Sequence, residues 1–269
     1  MSAYESVSGL GVALADGVLR LVLDKPEKRN ALDDEMMAAL IEAIDAAGRD
    51  EDVRVIVLTG TGEHFCSGFD IVSRNAGGGP RPRVGSIQRR LPSQAHRLVP
   101  LVLDVQTPVV CAVRGWAAGI GLNLALAADF TVAATDAVFW EPFLDRGFSP
   151  DSGSTWLLPR LVGLARARRM LLLGEKVSAT DAADWGLIHQ AVSPPDLDDA
   201  AEGLLDRLAC GPTVAIGLTK HALSFAQHAT LSQSMMQELF NLELSCRTGD
   251  FKEGLEAFRQ RRPPKFHGR

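Results

Sequence analysis

The chain has 269 residues, of which 46% are hydrophobic and 23% are charged, and its formal net charge is −5. These values predict a globular chain with a substantial hydrophobic core, and the negative charge disfavours binding to nucleic acids or to membrane surfaces. The cysteines form no CxxC pair, no uncharged apolar run approaches roughly 20 residues and no signal peptide is visible, so we expect a cytoplasmic protein with no metal site and no membrane span.

Strand and helix patterns alternate through the first part of the chain. VLRLVLD (18–24) is rich in β-branched residues and leucine, which predicts a strand. The stretch 26–50 repeats apolar residues at spacings of three and four, as an amphipathic helix does. They are Met37, Leu40, Ile41 and Ile44. VRVIVLTG (53–60) is a nearly continuous apolar run ended by glycine, which is typical of a strand buried on both faces of a parallel sheet.

One stretch interrupts this regular pattern. In SRNAGGGPRPRVGS (73–86) glycine, proline and arginine dominate, and no apolar period is left. The composition predicts a flexible surface loop, which is either a lid over a ligand or a tolerated insertion without a role.

The alternation resumes and then stops. TPVVCAVRG (107–115) predicts another buried strand, WAAGIGLNLALAAD (116–129) an apolar helix opened by glycines, and FTVAATDAVFW (130–140) short strands. Repeated strand–helix units of this kind indicate parallel strands joined by crossover helices. Beyond them the strand signals give way to amphipathic helices, so we predict an α/β core over residues 1–193 and a helical C-terminal segment over 194–269.

Two glycine-containing turns follow the predicted buried strands. They are HFCSGFDI (64–71) and the start of RGWAAGIGLNLALAAD (114–129). In a parallel α/β fold, ligands gather at the carboxyl ends of the strands, where turns and helix N-termini present backbone N–H groups. Two such groups can stabilise an oxyanion, although glycines in tight turns are mostly structural. GIGLNL also lacks the GxGxxG spacing of a dinucleotide-binding turn, so NAD binding is disfavoured.

Taken together and in order, six stretches of the sequence resemble the enoyl-CoA hydratase/isomerase (crotonase) superfamily. They are PEKRNAL (26–32), VRVIVLTGTGEHFCSGFDI (53–71), TPVVCAVRGWAAGIGLNLALAADF (107–130), GFSPDSGSTWLLPRLVG (147–163), LLLGEKVSATDAADWGLIHQAV (171–192) and FKEGLEAFRQRRPPKF (251–266). The resemblance implies an α/β spiral of ββα units, a C-terminal helical segment that builds homotrimers or hexamers, and an acyl-CoA thioester as ligand. It implies no cofactor, because coenzyme A is part of the substrate.

The resemblance also assigns binding residues. The thioester oxygen would be held by the backbone N–H groups of Phe69 and Ile120. Coenzyme A would lie against a larger set of residues: Lys28, Arg29, Ala31, Cys66, Phe69, Asp70, Ile71, Lys265 and Phe266. The alternative is that the cations of this set are only solvated surface residues. Apolar residues near the reacting carbons would line an acyl pocket: Trp116, Trp140, Phe143 and Phe148.

The sequence departs from the resembled hydratases at their two glutamates, whose positions hold Asn123 and Phe143. Adding water to a double bond needs a base and an acid, each within about 3 Å of its proton, and an asparagine amide does not titrate near neutral pH. Ordinary hydration is therefore disfavoured. Glu141 either replaces a lost glutamate or, as we expect, makes a structural ion pair. Asn123 either contacts the substrate or is a satisfied helix residue.

Asp151 is the remaining candidate for acid/base chemistry. The pair Pro150–Asp151, together with Asn123, resembles an isomerase subgroup that includes ring-epoxide phenylacetyl-CoA isomerase, and the halobenzoyl-CoA dehalogenases place an aspartate nucleophile there. Moving a double bond needs one carboxylate and an oxyanion hole. A competing interpretation is that Asp151 or Ser152 caps the following helix.

Four functions remain open on the sequence. Acyl-CoA isomerisation with Asp151 as proton shuttle is the first hypothesis, and hydration with Asp151 or Glu141 as a non-standard acid/base is the second. The others are a non-catalytic acyl-CoA binder and a dehalogenase-like enzyme. His64 and His96 have no second ligand at metal spacing, and Ser152 lacks the GxSxG elbow of a serine hydrolase.

Overall fold

The computed structural model describes residues 4–71 and 83–269. The strands are β1 Leu10–Ala15, β2 Val18–Leu23, β3 Val55–Gly60, β4 Val109–Val113, β5 Trp116–Ala118, β6 Phe130–Ala134, β7 Val138–Trp140, β8 Val177–Ser178 and β9 Gln190–Val192. The α-helices are α1 Asp34–Ala47, α2 Ser86–Arg90, α3 Ala95–Asp104, α4 Ile120–Ala127, α5 Ser154–Leu173, α6 Ala179–Trp185, α7 Leu197–Ala209, α8 Thr213–Ala226, α9 Leu231–Ser245 and α10 Gly249–Gln260. Most of the stretch 73–86, predicted as a lid or an insertion, lies outside the described residues.

The strands form two sheets. The larger has the order β1-β2-β3-β4-β6-β9; β1 is antiparallel to β2 and the other pairs are parallel. The smaller has the order β5-β7-β8, with β5 parallel to β7. The predicted α/β fold with a parallel sheet is confirmed, whereas β1 was not predicted.

Both faces of the larger sheet are covered, which explains its continuous apolar runs. Ile56 and Leu58 face the main core, where the predicted apolar residues of α1 are also buried. Val55 and Val57 point to the other face and pack against Leu205 of α7. Because side chains alternate along a strand, a strand covered on both faces loses its polar alternation.

The predicted helix over 116–129 is wrong in its first turn. Residues 116–118 form β5, which pairs with β7, and only Ile120–Ala127 is helical. The break falls at Gly119, whose φ of 53° and ψ of −125° no helix contains. The glycine thus separates a strand from a helix.

The helical C-terminal segment does not sit wholly apart from the core. Besides the packing of α7, Lys220 of α8 inserts its ammonium among Val102 O, Thr107 O and Asp129 Oδ2, at 3.0, 3.3 and 2.7 Å. Burial lowers the pKa of Lys220, and the adjacent Asp129 carboxylate opposes that change. The division at residue 193 stays a prediction. No helix in the described part of the chain is long and apolar enough to span a bilayer.

Candidate active site

The two glycine turns that follow β3 and β4 are locked together. Cys66 donates its N–H to Trp116 O and accepts from Ala118 N, both at 2.9 Å. A Cβ placed on Gly121 would lie 2.6 Å from Cys66 Cβ and 2.7 Å from Cys66 O. Only glycine permits so close an approach of the two backbones. The start of α4 is thereby fixed against the turn after β3.

This contact brings the two predicted oxyanion-hole segments side by side. Ile120 is the first residue of α4, where a helix leaves its N–H groups without intrahelical partners. Phe69 follows Gly68, which has a φ of 106° and whose Cβ, if present, would lie 3.2 Å from Ala118 O. The glycines allow both main chains to turn at the point where a thioester oxygen would be held, so Phe69 and Ile120 stay the predicted donors.

The predicted coenzyme A residues before α1 and after β3 form one neighbourhood. Backbone hydrogen bonds join the two segments: Ser67 N donates to Arg29 O at 2.9 Å. Leu32 N donates to Gly68 O and Asp70 N donates to Leu32 O, both at 2.8 Å. Lys28 Nζ lies 2.9 Å from the buried Asp70 carboxylate. The set brought together is Lys28, Arg29, Ala31, Cys66, Phe69, Asp70 and Ile71.

Asn30 organises this neighbourhood, and no spacing or pattern in the sequence singles it out. The residue is fully buried, and its φ of 54° is in the left-handed region that asparagine tolerates better than most residues. Its Nδ2 donates to Thr61 O and His64 O at 2.9 and 2.7 Å, while its Oδ1 accepts from Lys25 N at 2.8 Å. The Asn30 side chain therefore holds the segment that begins at Lys25 against the turn after β3.

Within one chain, the tail residues Lys265 and Phe266 do not join this neighbourhood. Lys265 N donates to Glu253 at 2.7 Å, and Phe266 O accepts from Arg54 at 3.5 Å. Arg54 immediately precedes β3, whereas the coenzyme A segments follow it. A six-residue strand separates the two ends by about 20 Å. A single chain therefore does not bring these two tail residues to the coenzyme A segments, and their binding role stays a prediction.

The four predicted acyl-pocket aromatics fall into two groups. Phe143 and Phe148 form an edge-to-face pair with ring centroids 5.5 Å apart. Trp116 and Trp140 form another pair at 5.7 Å, and Lys176 lies over both rings. The tryptophans share the outer face of the smaller sheet, opposite the buried Phe139, so the structure does not place them with the phenylalanines.

An open surface cavity of about 510 Å³ adjoins the tryptophan pair. Its lining includes Glu63, His64, Arg114, Trp116 and Asp136. The lining includes the predicted acyl-pocket residue Trp116 but none of the residues to which acid/base chemistry was assigned. The described residues also contain no cluster of histidine, cysteine and carboxylate side chains able to hold a metal ion.

Asp151 does not cap the helix that follows it. The N-cap of α5 is Gly153, and no side chain accepts a hydrogen bond at this helix start. The Asp151 carboxylate instead accepts from Ser152 Oγ at 2.6 Å. Ser152 is buried with a φ of 55°, and Gly153 has a φ of 87°. Strained backbone of this kind is common at functional sites, and the capping interpretation is wrong for Asp151 and for Ser152.

Glu141 is a second carboxyl group at this site. It is 2% exposed, and its Oε1 accepts from Asn123 Nδ2 at 3.0 Å. Burial raises the pKa of Glu141 well above its ordinary value; the bond from Asn123 opposes the rise, and the charge of Asp151 adds to it. The Ser154 hydroxyl is near enough to oppose it slightly, although its hydrogen bond goes to Asp151 O. The expected ion pair is wrong within the described residues, since Glu141 contacts no lysine or arginine there.

The raised pKa of Glu141 predicts a pH dependence of stability. In the unfolded chain this carboxyl titrates near its ordinary 4.5, whereas the folded chain keeps the proton to higher pH. Stability of the native protein is therefore lost as pH rises from 4.5 through the folded pKa. Glu141→Gln has no carboxyl proton to lose, so its melting temperature should rise relative to that of wild type as the pH increases above 4.5. A difference that stays constant in a thermal-shift titration would contradict a protonated Glu141.

Comparison with known proteins identifies the family. The model of the family described as enoyl-CoA hydratase/isomerase matches residues 14–269. The chain belongs to this family. The 1,2-epoxyphenylacetyl-CoA isomerase of Escherichia coli (strain K12) is 42% identical over 255 residues, covering 94% of this chain and 96% of that protein. A probable enoyl-CoA hydratase of Rhodobacter capsulatus is 40% identical over 260 residues, covering 95% and 96%.

The fold agrees with solved members of the enoyl-CoA hydratase/isomerase family. The crystal structure of a protein from Streptomyces coelicolor A3(2), named as an enoyl-CoA hydratase, superimposes with a TM-score of 0.92 at 35% identity and covers 100% of this chain and 96% of that one. The predictions of family, fold class and enzyme type are confirmed, and an acyl-CoA substrate fits the family. Since the similar proteins include both isomerases and hydratases, the choice between them depends on the site.

Proposed function

We propose that this enzyme isomerises the double bond of an enoyl-CoA thioester, with Asp151 as the proton shuttle. The observation that carries the proposal is that Asn123 links the oxyanion turn to Glu141, a buried carboxyl group near enough to Asp151 for its pKa to respond to that charge. Asn123 Nδ2 donates both to Gly119 O, next to Ile120, and to Glu141, and the charge of Asp151 acts on Glu141. The carboxylate is also free of any capping role.

The reaction that suits these groups transfers one proton. The Asp151 carboxylate would remove a proton from the α-carbon of a β,γ-enoyl thioester, and the electron pair would pass into the thioester carbonyl to give a dienolate. The N–H groups of Phe69 and Ile120 would bind the resulting oxyanion. Asp151 would then return the proton to the γ-carbon, leaving an α,β double bond. We propose that the reaction needs no cofactor, because proton transfer needs no redox centre. We also propose that it takes place in the cytoplasm.

A direct assay tests the proposal. Purified protein is incubated with 3-hexenoyl-CoA, and the appearance of 2-hexenoyl-CoA is followed by chromatography and by the absorbance of the conjugated thioester. We expect conversion to an equilibrium mixture with no change in mass. A protein that binds the thioester but never moves its double bond would contradict the proposal and favour a non-catalytic acyl-CoA binder.

Hydration is the second candidate, and Glu141 favours it. The lost glutamate positions are Asn123 and Phe143, but the buried carboxyl of Glu141 contacts Asn123. Its raised pKa favours the protonated form, which would supply the acid while Asp151 acts as base. Incubation with crotonyl-CoA separates the two reactions, because hydration destroys the conjugated double bond and adds the mass of water. Robust hydration without isomerisation would replace the first proposal. A covalent Asp151 adduct would instead indicate the dehalogenase-like reaction.

The enzyme should form trimers or hexamers. The last two helices expose large apolar side chains to a degree that is unusual for a monomer: Leu231 78%, Leu239 59%, Phe240 60%, Leu242 60% and Phe258 83%. An assembly would cover them and could bring Lys265 and Phe266 of one subunit to the coenzyme A segments of the next.

Light scattering after size exclusion should therefore give three or six times the chain mass of 28.9 kDa. Phe258→Asp should shift the protein toward smaller species, since it places a charge in the apolar surface. The control is Ile87→Asp, which makes the same kind of change at an exposed position on α2. A monomer, or equal effects of the two substitutions, would contradict an interface on the C-terminal helices.

A further inference from the structure

Glu141 reaches the site because of its place at the end of β7. Side chains alternate along this strand, so Phe139 is buried, Trp140 lies on the outer face and Glu141 points inward again. A carboxyl that is 2% exposed is costly unless it is neutral or well paired. The isomerisation proposed above uses Asp151 as the proton shuttle and assigns no role to Glu141.

The hydrogen bonds of Asn123 show what this carboxyl does. An asparagine amide has two N–H donors, and here both are used, by Gly119 O and by Glu141 Oε1, each at 3.0 Å. The amide orientation is therefore fixed, with Nδ2 held on one side and Oδ1 directed away from these two acceptors. Within residues 4–71 and 83–269 neither Asn123 Oδ1 nor Glu141 Oε2 has a hydrogen-bond partner, although both are buried.

Buried polar atoms rarely stay unsatisfied, and such a group commonly marks a functional position. These two belong to one hydrogen-bonded pair that lies between the oxyanion turn and Asp151. We propose that Glu141 is a positioning residue, which holds the Asn123 amide by its NH₂ end so that Asn123 Oδ1 is presented as an acceptor beside the reacting acyl group.

The charge of the neighbourhood is consistent with this role. Asp151 faces Glu141 from the turn before α5, Ser154 from the first residue of α5 and Asn123 from α4. No basic side chain of the described residues contacts Glu141. A neutral carboxylic acid can still accept from Asn123, and it spares Asp151 a second negative charge at close range. Glu141→Gln keeps an acceptor oxygen and a neutral charge, so this variant should preserve the function.

A double-mutant cycle tests the inference. The variants are Glu141→Met, Asn123→Ala and the two combined, with Glu141→Gln as the conservative control. Methionine fills a similar volume but offers no strong acceptor. The inference rests on the proposed isomerase activity for its first readout, kcat and KM with 3-hexenoyl-CoA. The second readout is the dissociation constant of acetoacetyl-CoA, whose enolate resembles the intermediate and which needs no turnover.

If Glu141 acts through Asn123, Glu141→Met should lower kcat about 10-fold or more with little change in KM. The double variant should be no worse than Asn123→Ala by more than about 3-fold, and Glu141→Gln should stay within about 3-fold of wild type. Binding of acetoacetyl-CoA should show the same non-additive pattern. If Glu141→Met fails to fold, Glu141→Leu takes its place in the cycle.

Three results would overturn the role of Glu141: effects that multiply in the double variant, a lowered melting temperature with unchanged kcat, or a Glu141→Gln variant as damaged as Glu141→Met. The failure of the isomerase proposal looks different. Wild-type protein would then leave 3-hexenoyl-CoA unchanged, while the acetoacetyl-CoA cycle would still report on the coupling between Glu141 and Asn123.

Discussion

Asp151→Asn should abolish double-bond migration and leave acyl-CoA binding nearly unchanged. The substitution keeps the oxygen that accepts from Ser152 Oγ at 2.6 Å, so the strained turn before α5 should persist. It removes the one property that the mechanism needs, a group that can take up and release a proton. General acid/base catalysis by a positioned side chain typically contributes about 10²- to 10⁴-fold, and we expect a loss of kcat in that range.

Steady-state rates with 3-hexenoyl-CoA and calorimetric affinity for the same thioester separate the two effects. Asp145→Asn is the matched control, because it makes the same chemical change six residues earlier at an exposed carboxylate. The control should behave as wild type. Turnover by Asp151→Asn above a few per cent of the native rate would remove Asp151 from the mechanism.

The sequence predicted the parallel sheet well because its signals were local. Strands covered on both faces require continuous apolar runs, and these are visible without knowing the partners. The start of α4 was predicted less well. WAAG is typical of the beginning of an apolar helix, but residues Trp116–Ala118 pair with Val138–Trp140 and form a strand instead. Strand pairing between segments that lie far apart along the chain cannot be predicted from the residues of one short segment.

The candidate site shows the same limit. Asp151 was found through its surroundings in the sequence, yet the choice between cap and acid/base group depended on where the helix begins. Glu141 was expected to form an ion pair, although alternation along β7 already indicated an inward position for it. Within the described residues Glu141 contacts Asn123 and no lysine or arginine, and this follows only from the packing of α4 against the strand.

The contacts of Asn30 and the position of the C-terminal tail could not be predicted from a single sequence. Asn30 joins three backbone groups that lie 5, 31 and 34 residues away along the chain, and no spacing rule connects them. Lys265 and Phe266 match the resembled family in sequence, but one chain keeps them at the far end of β3. In the proposed assembly, the tail of a neighbouring subunit would lie at the coenzyme A segments, and a single sequence does not show such a contact.

Gly121→Ala should cause a loss of activity comparable to that of Asp151→Asn, by a different route. Its Cβ would lie 2.6 Å from Cys66 Cβ and 2.7 Å from Cys66 O. Because one of these atoms is backbone, truncating Cys66 could not relieve the clash. The start of α4 must then move away from the turn after β3, which separates the N–H groups of Ile120 and Phe69. Removing one oxyanion donor typically costs about 10²- to 10³-fold in kcat.

Gly121→Ala should also weaken the binding of acetoacetyl-CoA, because the enolate oxygen depends on the N–H groups of both Phe69 and Ile120. Asp151→Asn should leave this binding unchanged. Overpacking costs roughly 1–3 kcal/mol, so the melting temperature must be measured beside the rates. Gly203→Ala in α7 is the control, because nothing lies within 4 Å of its added Cβ and alanine favours a helix over glycine by about 1 kcal/mol. A folded Gly121→Ala protein with native kcat would show that the reaction does not need the two turns in contact, and the oxyanion hole would have to be sought elsewhere.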